Sequence, residues 1–235
     1  MIAADEIARR ACEVRDRIDR AARAAGRDPA TVRLLAVTKT HPMAVIRTAY
    51  AAGLREFGEN YVQELVQKAD ACGELVGISW HAIGHVQTNK ARDVARVAAF
   101  VHTVDNVRLA EHLGRKSADV RTSLGVFVQV NVGAEAQKSG CTPEALGDVL
   151  DAIDRESSLR LCGLMTVPPY TDDPQGARRF FEALRSLRDA HGGVARLPEL
   201  SMGMTHDLEV AIACGATIVR VGTAIFGERP AAPGA

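Results

Sequence analysis

No apolar run in this 235-residue chain reaches the roughly 18 residues that a helix needs to cross a bilayer. A helical membrane protein is therefore not expected. Neither sign of charge is in excess: 29 Lys and Arg face 29 Asp and Glu, which argues against a surface built to grip nucleic acid or an anionic membrane. The five cysteines (Cys12, Cys72, Cys141, Cys162 and Cys214) are odd in number, widely spaced and without a C-x-x-C pair. With no secretory leader at the N-terminus, that pattern predicts reduced thiols in the cytoplasm rather than a disulfide framework. Nucleotide and hydrolase signatures are missing as well. No glycine-rich dinucleotide fingerprint follows the first strand and no G-x-S-x-G occurs. GTAIFG (222–227) runs into Glu228-Arg229 where a P-loop needs Lys-Ser/Thr. His81 and His85 are four apart, but His81 lies in a predicted strand, so about 13 Å of extended chain separates them. No third ligand completes a set, and no metal site is expected.

What the chain has is alternation. Residues 5–26 place Ile7, Ala11, Val14, Ile18, Ala22 and Ala25 at helical spacing, closed by Gly26 with Pro29 beyond. The arginines on its other faces are interleaved with Asp5, Glu6, Glu13, Asp16 and Asp19, which predicts a solvated face. Beyond it, apolar strands near 33–38, 55–58, 78–83, 100–103, 124–130, 160–165, 198–200 and 217–220 alternate with helical patterns near 43–52, 60–71, 86–97, 106–117, 143–156, 174–190 and 206–213. Such alternation fits a doubly wound sheet or a (β/α)8 barrel. The count of eight, without a dinucleotide fingerprint, predicts the barrel. One domain over residues 1–229 is expected, with 1–28 as an extra helix packed on it and PAAPGA (230–235) as a frayed tail.

The stretch LLAVTKTHP (34–42) organises the rest. Pro42 stops the apolar strand and biases His41 away from helix, so the strand ends almost on Lys39. Lys39 admits two readings: it snorkels into water, or burial lowers its pKa toward the neutral amine that Schiff-base chemistry with an aldehyde requires. In a barrel the working residues stand at the C-terminal strand ends, and phosphate is held after strands 7 and 8. The ends here carry Lys39 (strand 1), Gly58-Glu59-Asn60-Tyr61 (strand 2), Gln129 and Asn131 (strand 5), and Met165-Thr166 (strand 6). SMGMT (201–205) and RVGT (220–223) follow strands 7 and 8, each joining glycine and a hydroxyl to a helical turn, as an anion cradle does. Ser201, Met202, Gly203, Gly222 and Thr223 are thus candidate phosphate residues. Arg220 ends strand 8 on the face of Ile218, either as a surface ion pair or beside Lys39, where its charge favours the neutral amine. A lysine, an anion cradle and an arginine for a ring nitrogen describe pyridoxal 5′-phosphate.

At these residues the chain resembles the pyridoxal phosphate homeostasis protein family, related in fold to the N-terminal domain of alanine racemase. The resemblance covers nearly the whole chain through AVTKTHP (36–42), FGENYVQE (57–64), WHAIGHVQTNK (80–90), FVQVNVGAEAQKSG (127–140), GLMTVPP (163–169), LSMGMTHDLEVAI (200–212) and VRVGTAIFGER (219–229). It implies a (β/α)8 barrel with the cofactor on Lys39 as a Schiff base. It also implies a phosphate held by Ser201 and the backbone at Gly222 and Thr223, Arg220 at the pyridine nitrogen, and Asn60 and Met165 along the ring. Tyr61 and Lys138 match the motifs too. Thr38 stands where serine is frequent, and His85 where proline is common.

The chemistry separates a carrier from a catalyst. A guanidinium only donates, so a pyridine nitrogen facing Arg220 stays unprotonated and the ring is a weak electron sink. Racemisation also needs a second acid/base on the opposite face, which the racemases supply from an additional β-domain. This sequence runs only about ten residues past strand 8 and its helical turn, so no such domain is expected. The expectation is a monomeric cytoplasmic protein that stores pyridoxal phosphate and delivers it to apo-enzymes. The alternative is a minimal amino-acid racemase using Lys39 with Tyr61, Lys138 or His206. Solvent-deuterium exchange at an amino acid α-carbon separates the two. A third class, a barrel acting through protein contacts with a vestigial cofactor, finds no exposed apolar stripe to support it.

Overall fold

The computed structural model describes residues 3–120, 123–135 and 139–228. Lys138 and the tail expected at 230–235 lie outside them. Eight strands close into a barrel in sequence order: β1 (Arg33–Val37), β2 (Glu56–Glu59), β3 (Ser79–Ala82), β4 (Phe100–Val104), β5 (Leu124–Gln129), β6 (Leu159–Met165), β7 (Glu199–Met204) and β8 (Ile218–Val221). Each runs parallel to both neighbours, β1 pairing with β8 to complete the ring. The connecting helices are α2 (Met43–Ala51), α3 (Val62–Ala71), α4 (Ala91–Val97), α5 (Val107–Ala118), α6 (Leu146–Asp154), α7 (Arg178–Ala190), α8 (Gly193–Arg196), α9 (Leu208–Ala213) and α10 (Thr223–Phe226). The expected (β/α)8 architecture is the one found.

Period-two alternation divides the apolar residues into two layers. Ala36, Phe57, Val101, Val126, Leu164, Leu200 and Val219 belong to the large core between strands and helices. Leu35, Phe127, Cys162, Met165 and Ile218 form a separate small cluster inside the barrel. That interior also holds polar groups, for His81, His102 and Ser201 are fully buried and Arg220 is 5% exposed. The N-terminal helix α1 (Ala4–Ala24) buries Ile7, Ala11, Val14, Ile18 and Ala22 and packs on α2, α9 and α10. Ala25, expected on the same face, is exposed, because the helix has already ended and Gly26 turns the chain at φ 69°.

Three sequence expectations need correction. The helices expected over 86–97 and 174–190 each start with a short 3-10 turn, at Thr88–Lys90 and Pro174–Ala177, and only then come α4 and α7. Strand 7, expected over 198–200, runs to Met204, so Ser201, Met202 and Gly203 lie within the strand and not in a loop after it. Its register against β8 shifts between Ser201 (opposite Ile218) and Met204 (opposite Arg220). Gly203 has φ 92°, and a Cβ there would stand 2.5 Å from the Ala211 Cβ on α9. The glycine that reads as a loop signal is a bulge residue that lets α9 close on the strand.

Candidate active site at the C-terminal mouth

Lys39 leaves β1 one residue beyond the last ladder contact, where the Thr38 N–H still donates to the Gly58 carbonyl at 3.0 Å. The lysine is half-buried. Its loop is held from behind by a charged cluster on β2 and α3. Lys68 Nζ donates to the Thr38 carbonyl at 2.8 Å, to Glu59 Oε1 at 2.7 Å and to Glu64 Oε2 at 2.9 Å. The Thr38 hydroxyl donates to Glu59 Oε1 at 2.5 Å, and the Thr40 N–H to Glu64 Oε2 at 2.9 Å. Thr40 has φ 65°, a left-handed conformation uncommon for threonine, so this network holds a strained turn next to the amine. Burial pushes the Glu59 carboxyl above its ordinary pKa against the pull of Lys68 and Thr38. Its second oxygen, Oε2, has no hydrogen-bond partner among the described residues.

The amine and the expected anion cradle meet. Val37, Lys39, His41, Gly222, Thr223 and Gly227 line one cavity of about 40 Å³. Gly222 comes so close to β1 that a Cβ would stand 3.2 Å from the Val37 carbonyl oxygen. α10 begins at Thr223, whose first-turn N–H groups have no carbonyl within their own helix to bond. The Thr223 hydroxyl donates to the Thr205 hydroxyl at 3.3 Å, so the ends of β7 and β8 each bring one hydroxyl to the same place.

Ser201, Met202 and Gly203 do not join this cradle. The Ser201 hydroxyl is buried in the barrel, 2.9 Å from both His102 Nδ1 and Arg220 Nη1. Met202 points into the outer core, and Gly203 backs onto α9. Thr205 is the residue that sequence reasoning passed over. SMGMT looked like one loop, whereas its first four residues are strand and only the threonine reaches the rim. Arg220 points inward as expected. Its Nη1 donates to the Ser201 carbonyl at 2.7 Å, and Nη2 to the Thr166 carbonyl at 2.8 Å. Burial lowers its pKa to about 10, partly offset by Asp207, which leaves it charged at neutral pH. Met165 is buried inside the barrel, and Asn60 is half-buried just past β2. A Cβ on Gly84 would lie 2.0 Å from the Asn60 carbonyl oxygen, so that glycine is what lets the β3 loop pass.

The model of the alanine racemase N-terminal domain matches residues 12–230. The pyridoxal phosphate homeostasis protein of Pseudomonas aeruginosa is 48% identical over 224 residues, 95% of this chain and 96% of that protein. The chain belongs to the pyridoxal phosphate homeostasis protein family. Its relative of the same name in Aquifex aeolicus is 42% identical over 93% of this chain and 98% of that one. Among solved structures, PipY of Synechococcus elongatus PCC7942 with pyridoxal phosphate bound superposes with a TM-score of 0.80 at 35% identity, covering 94% of this chain and 100% of that one. Alanine racemase of Corynebacterium glutamicum shares the fold at 17% identity and a TM-score of 0.68, this chain spanning 62% of its length.

Other residues within the homeostasis-family motifs fall into place around the mouth. Thr38, where the family often has serine, uses its hydroxyl on Glu59 as a serine could. His85, where proline is common, is exposed, 4.0 Å from the Asp105 carboxylate. Tyr61 is exposed. His206 stacks on Tyr170 at 5.7 Å and bonds the Asp172 carbonyl at 3.1 Å. Among the described residues no group of three or more His, Cys, Asp or Glu side chains is placed to hold a metal, and no helix is long and apolar enough to cross a membrane. Burial pushes the Cys141 thiol up to about 12 and the Cys162 thiol up to about 11, which makes both packing residues rather than nucleophiles.

Proposed function

We propose that this chain binds pyridoxal 5′-phosphate at the C-terminal mouth of the barrel and serves its homeostasis in the cytoplasm, as a monomer that holds the cofactor and passes it to apo-enzymes. The observation that carries the reading is that Lys39, Gly222 and Thr223 line one cavity. The residues present fit the group. Lys39 offers an amine, Thr205 and Thr223 two adjoining hydroxyls for an anion, Gly222 a close backbone approach, and Arg220 a charged donor for a ring nitrogen. Asn60 and Met165 are the residues for the ring faces. When bound, pyridoxal phosphate supplies an aldehyde carbon that a lysine amine attacks, so the group is held covalently.

The chain's own residues then favour holding over turnover. Arg220 cannot accept a proton, and a donor-only partner leaves the ring nitrogen with its lone pair in use as an acceptor. That removes the protonated ring on which strong electron withdrawal depends. Lys68, Glu59 and Glu64 hold the Lys39 loop without touching the cavity, which orients the amine but moves no proton.

Protein mixed with the cofactor should absorb in the visible, borohydride should fix the cofactor's mass to the chain, and Lys39→Ala should lose both signals. An intact mass unchanged by borohydride while cofactor remains bound would overturn the role of Lys39.

A further inference from the structure

Two buried histidines take no part in the reading above, and they are joined. His81 on β3 and His102 on β4 are both fully buried inside the barrel. Their rings are clamped, His81 stacked on Phe100 at 4.6 Å and His102 on Phe127 at 4.3 Å. His81 Nδ1 lies 2.9 Å from His102 Nε2, and His102 Nδ1 lies 2.9 Å from the Ser201 hydroxyl, which in turn accepts from Arg220 Nη1 at 2.9 Å. At the other end His81 Nε2 lies 2.8 Å from Glu56 Oε2 and 3.2 Å from the Ser79 hydroxyl. The hydrogen-bonded chain therefore runs from Arg220 near the C-terminal mouth, through three uncharged side chains, to Glu56 at the start of β2.

The ends dictate its direction. A guanidinium can only donate and an ionised carboxylate can only accept. Ser201 accepts from Arg220, so its own hydrogen goes to His102 Nδ1. His102 then carries its hydrogen on Nε2 and gives it to His81 Nδ1, and His81 carries its hydrogen on Nε2 and gives it to Glu56. The opposite polarity would aim a lone pair of His81 at the carboxylate. Burial lowers the pKa of both histidines, which keeps them neutral as this pattern requires. Burial pushes Glu56 up, but His81 and Arg33 outweigh it and hold the carboxyl below its ordinary value. The other charged groups around the relay are Arg33, which pairs with Glu56 and Glu199, Arg160 over the Phe100 ring, and Asp207 near Arg220.

We propose that His81 and His102 are positioning residues that lock the Ser201 hydroxyl, and through it the guanidinium of Arg220, by a hydrogen-bond relay running one way across the barrel to Glu56. A polar string in a core that apolar side chains could fill costs stability unless every member is satisfied. Here each link is satisfied only in one tautomer, so a carboxylate on the far side of the fold fixes which way the Ser201 hydroxyl presents its lone pair to Arg220, adding to the hold of the Ser201 and Thr166 carbonyls on the guanidinium. What Arg220 then does for a pyridine nitrogen rests on the function proposed above; the relay itself does not.

Long-range proton–nitrogen NMR of the cofactor-free protein tests the relay directly. Both imidazoles should appear as the neutral Nε2–H form and stay so from pH 6 to 9. An Nδ1–H form, or an imidazolium at pH 7, on either ring overturns the proposal. With cofactor, His102→Leu should raise Kd by roughly three- to tenfold, the worth of about one hydrogen bond between uncharged groups, and shift the pH at which the visible band changes. His102→Asn, whose carbonyl can still accept from Ser201, should restore most of both. Leu and Asn variants that behave alike refute the positioning role. A protein that takes up no cofactor would end the function proposed above and leave the tautomer result standing; a His102→Leu chain that does not fold leaves the NMR to decide.

Discussion

Replacing Lys68 by methionine is the sharpest probe of how the Lys39 loop is held. Methionine keeps the length of the side chain and removes the ammonium that serves the Thr38 carbonyl, Glu59 and Glu64 together. Glu59 is the group that suffers, since its side chain is 0% exposed and one of its oxygens already lacks a partner. Removing one member of a buried ion pair costs about 3–5 kcal/mol, which for a chain of this size lowers Tm by roughly 6–20 °C. Protonating Glu59 relieves the penalty: with its pKa raised by burial, the folded chain holds a proton that the unfolded chain lacks, so stability returns as pH falls through the raised pKa toward the ordinary carboxyl value, at about 1.4 kcal/mol per pH unit. The deficit should therefore be smaller at pH 5 than at pH 7. Lys68→Met combined with Glu59→Gln should regain most of the loss, a coupling of about 0.5–3 kcal/mol in a double-mutant cycle. Guanidinium unfolding of the four proteins at pH 7 and pH 5 measures all of this. A loss under about 1 kcal/mol, equal at both pH values and additive with Glu59→Gln, would show that the cluster carries no buried charge.

Two further outcomes follow from the same site. Stability of the cofactor-free protein should fall as pH drops below about 6.5, because His81 and His102 are depressed in the folded state and the unfolded chain binds the protons they refuse. Glu56, also depressed, adds to the loss further down, and a denaturation midpoint flat from pH 7 to pH 5 would contradict the neutral relay. Thr205→Val should weaken cofactor binding by about tenfold or more, the worth of one hydrogen bond to an anion. Titration of the visible band reads the change, and a Thr205→Val protein that binds as well as the parent would remove Thr205 from the cradle.

How much of this was legible depends on whether the signal was local. Lys39 could be found because Pro42 ends the strand three residues later, and Arg220 because it shares a face with Ile218; both point where period-two alternation puts them. Strand 7 misled for an equally local reason. Ser201 and Gly203 carry loop chemistry, and nothing in the sequence says that α9 packs so closely on Gly203 that only a glycine bulge fits. With the strand ended at residue 200, Ser201 takes in the sequence the place at the rim that Thr205 holds in the structure. His102 was out of reach altogether, for it stands 21 residues from His81 and 99 from Ser201. Those three meet only because barrel closure stacks inward positions of separate strands into common layers. A sequence shows which residues face inward well before it shows which of them share a layer. In this barrel the residues that touch the cavity belong to the first kind of information, and the residues that orient Arg220 belong to the second.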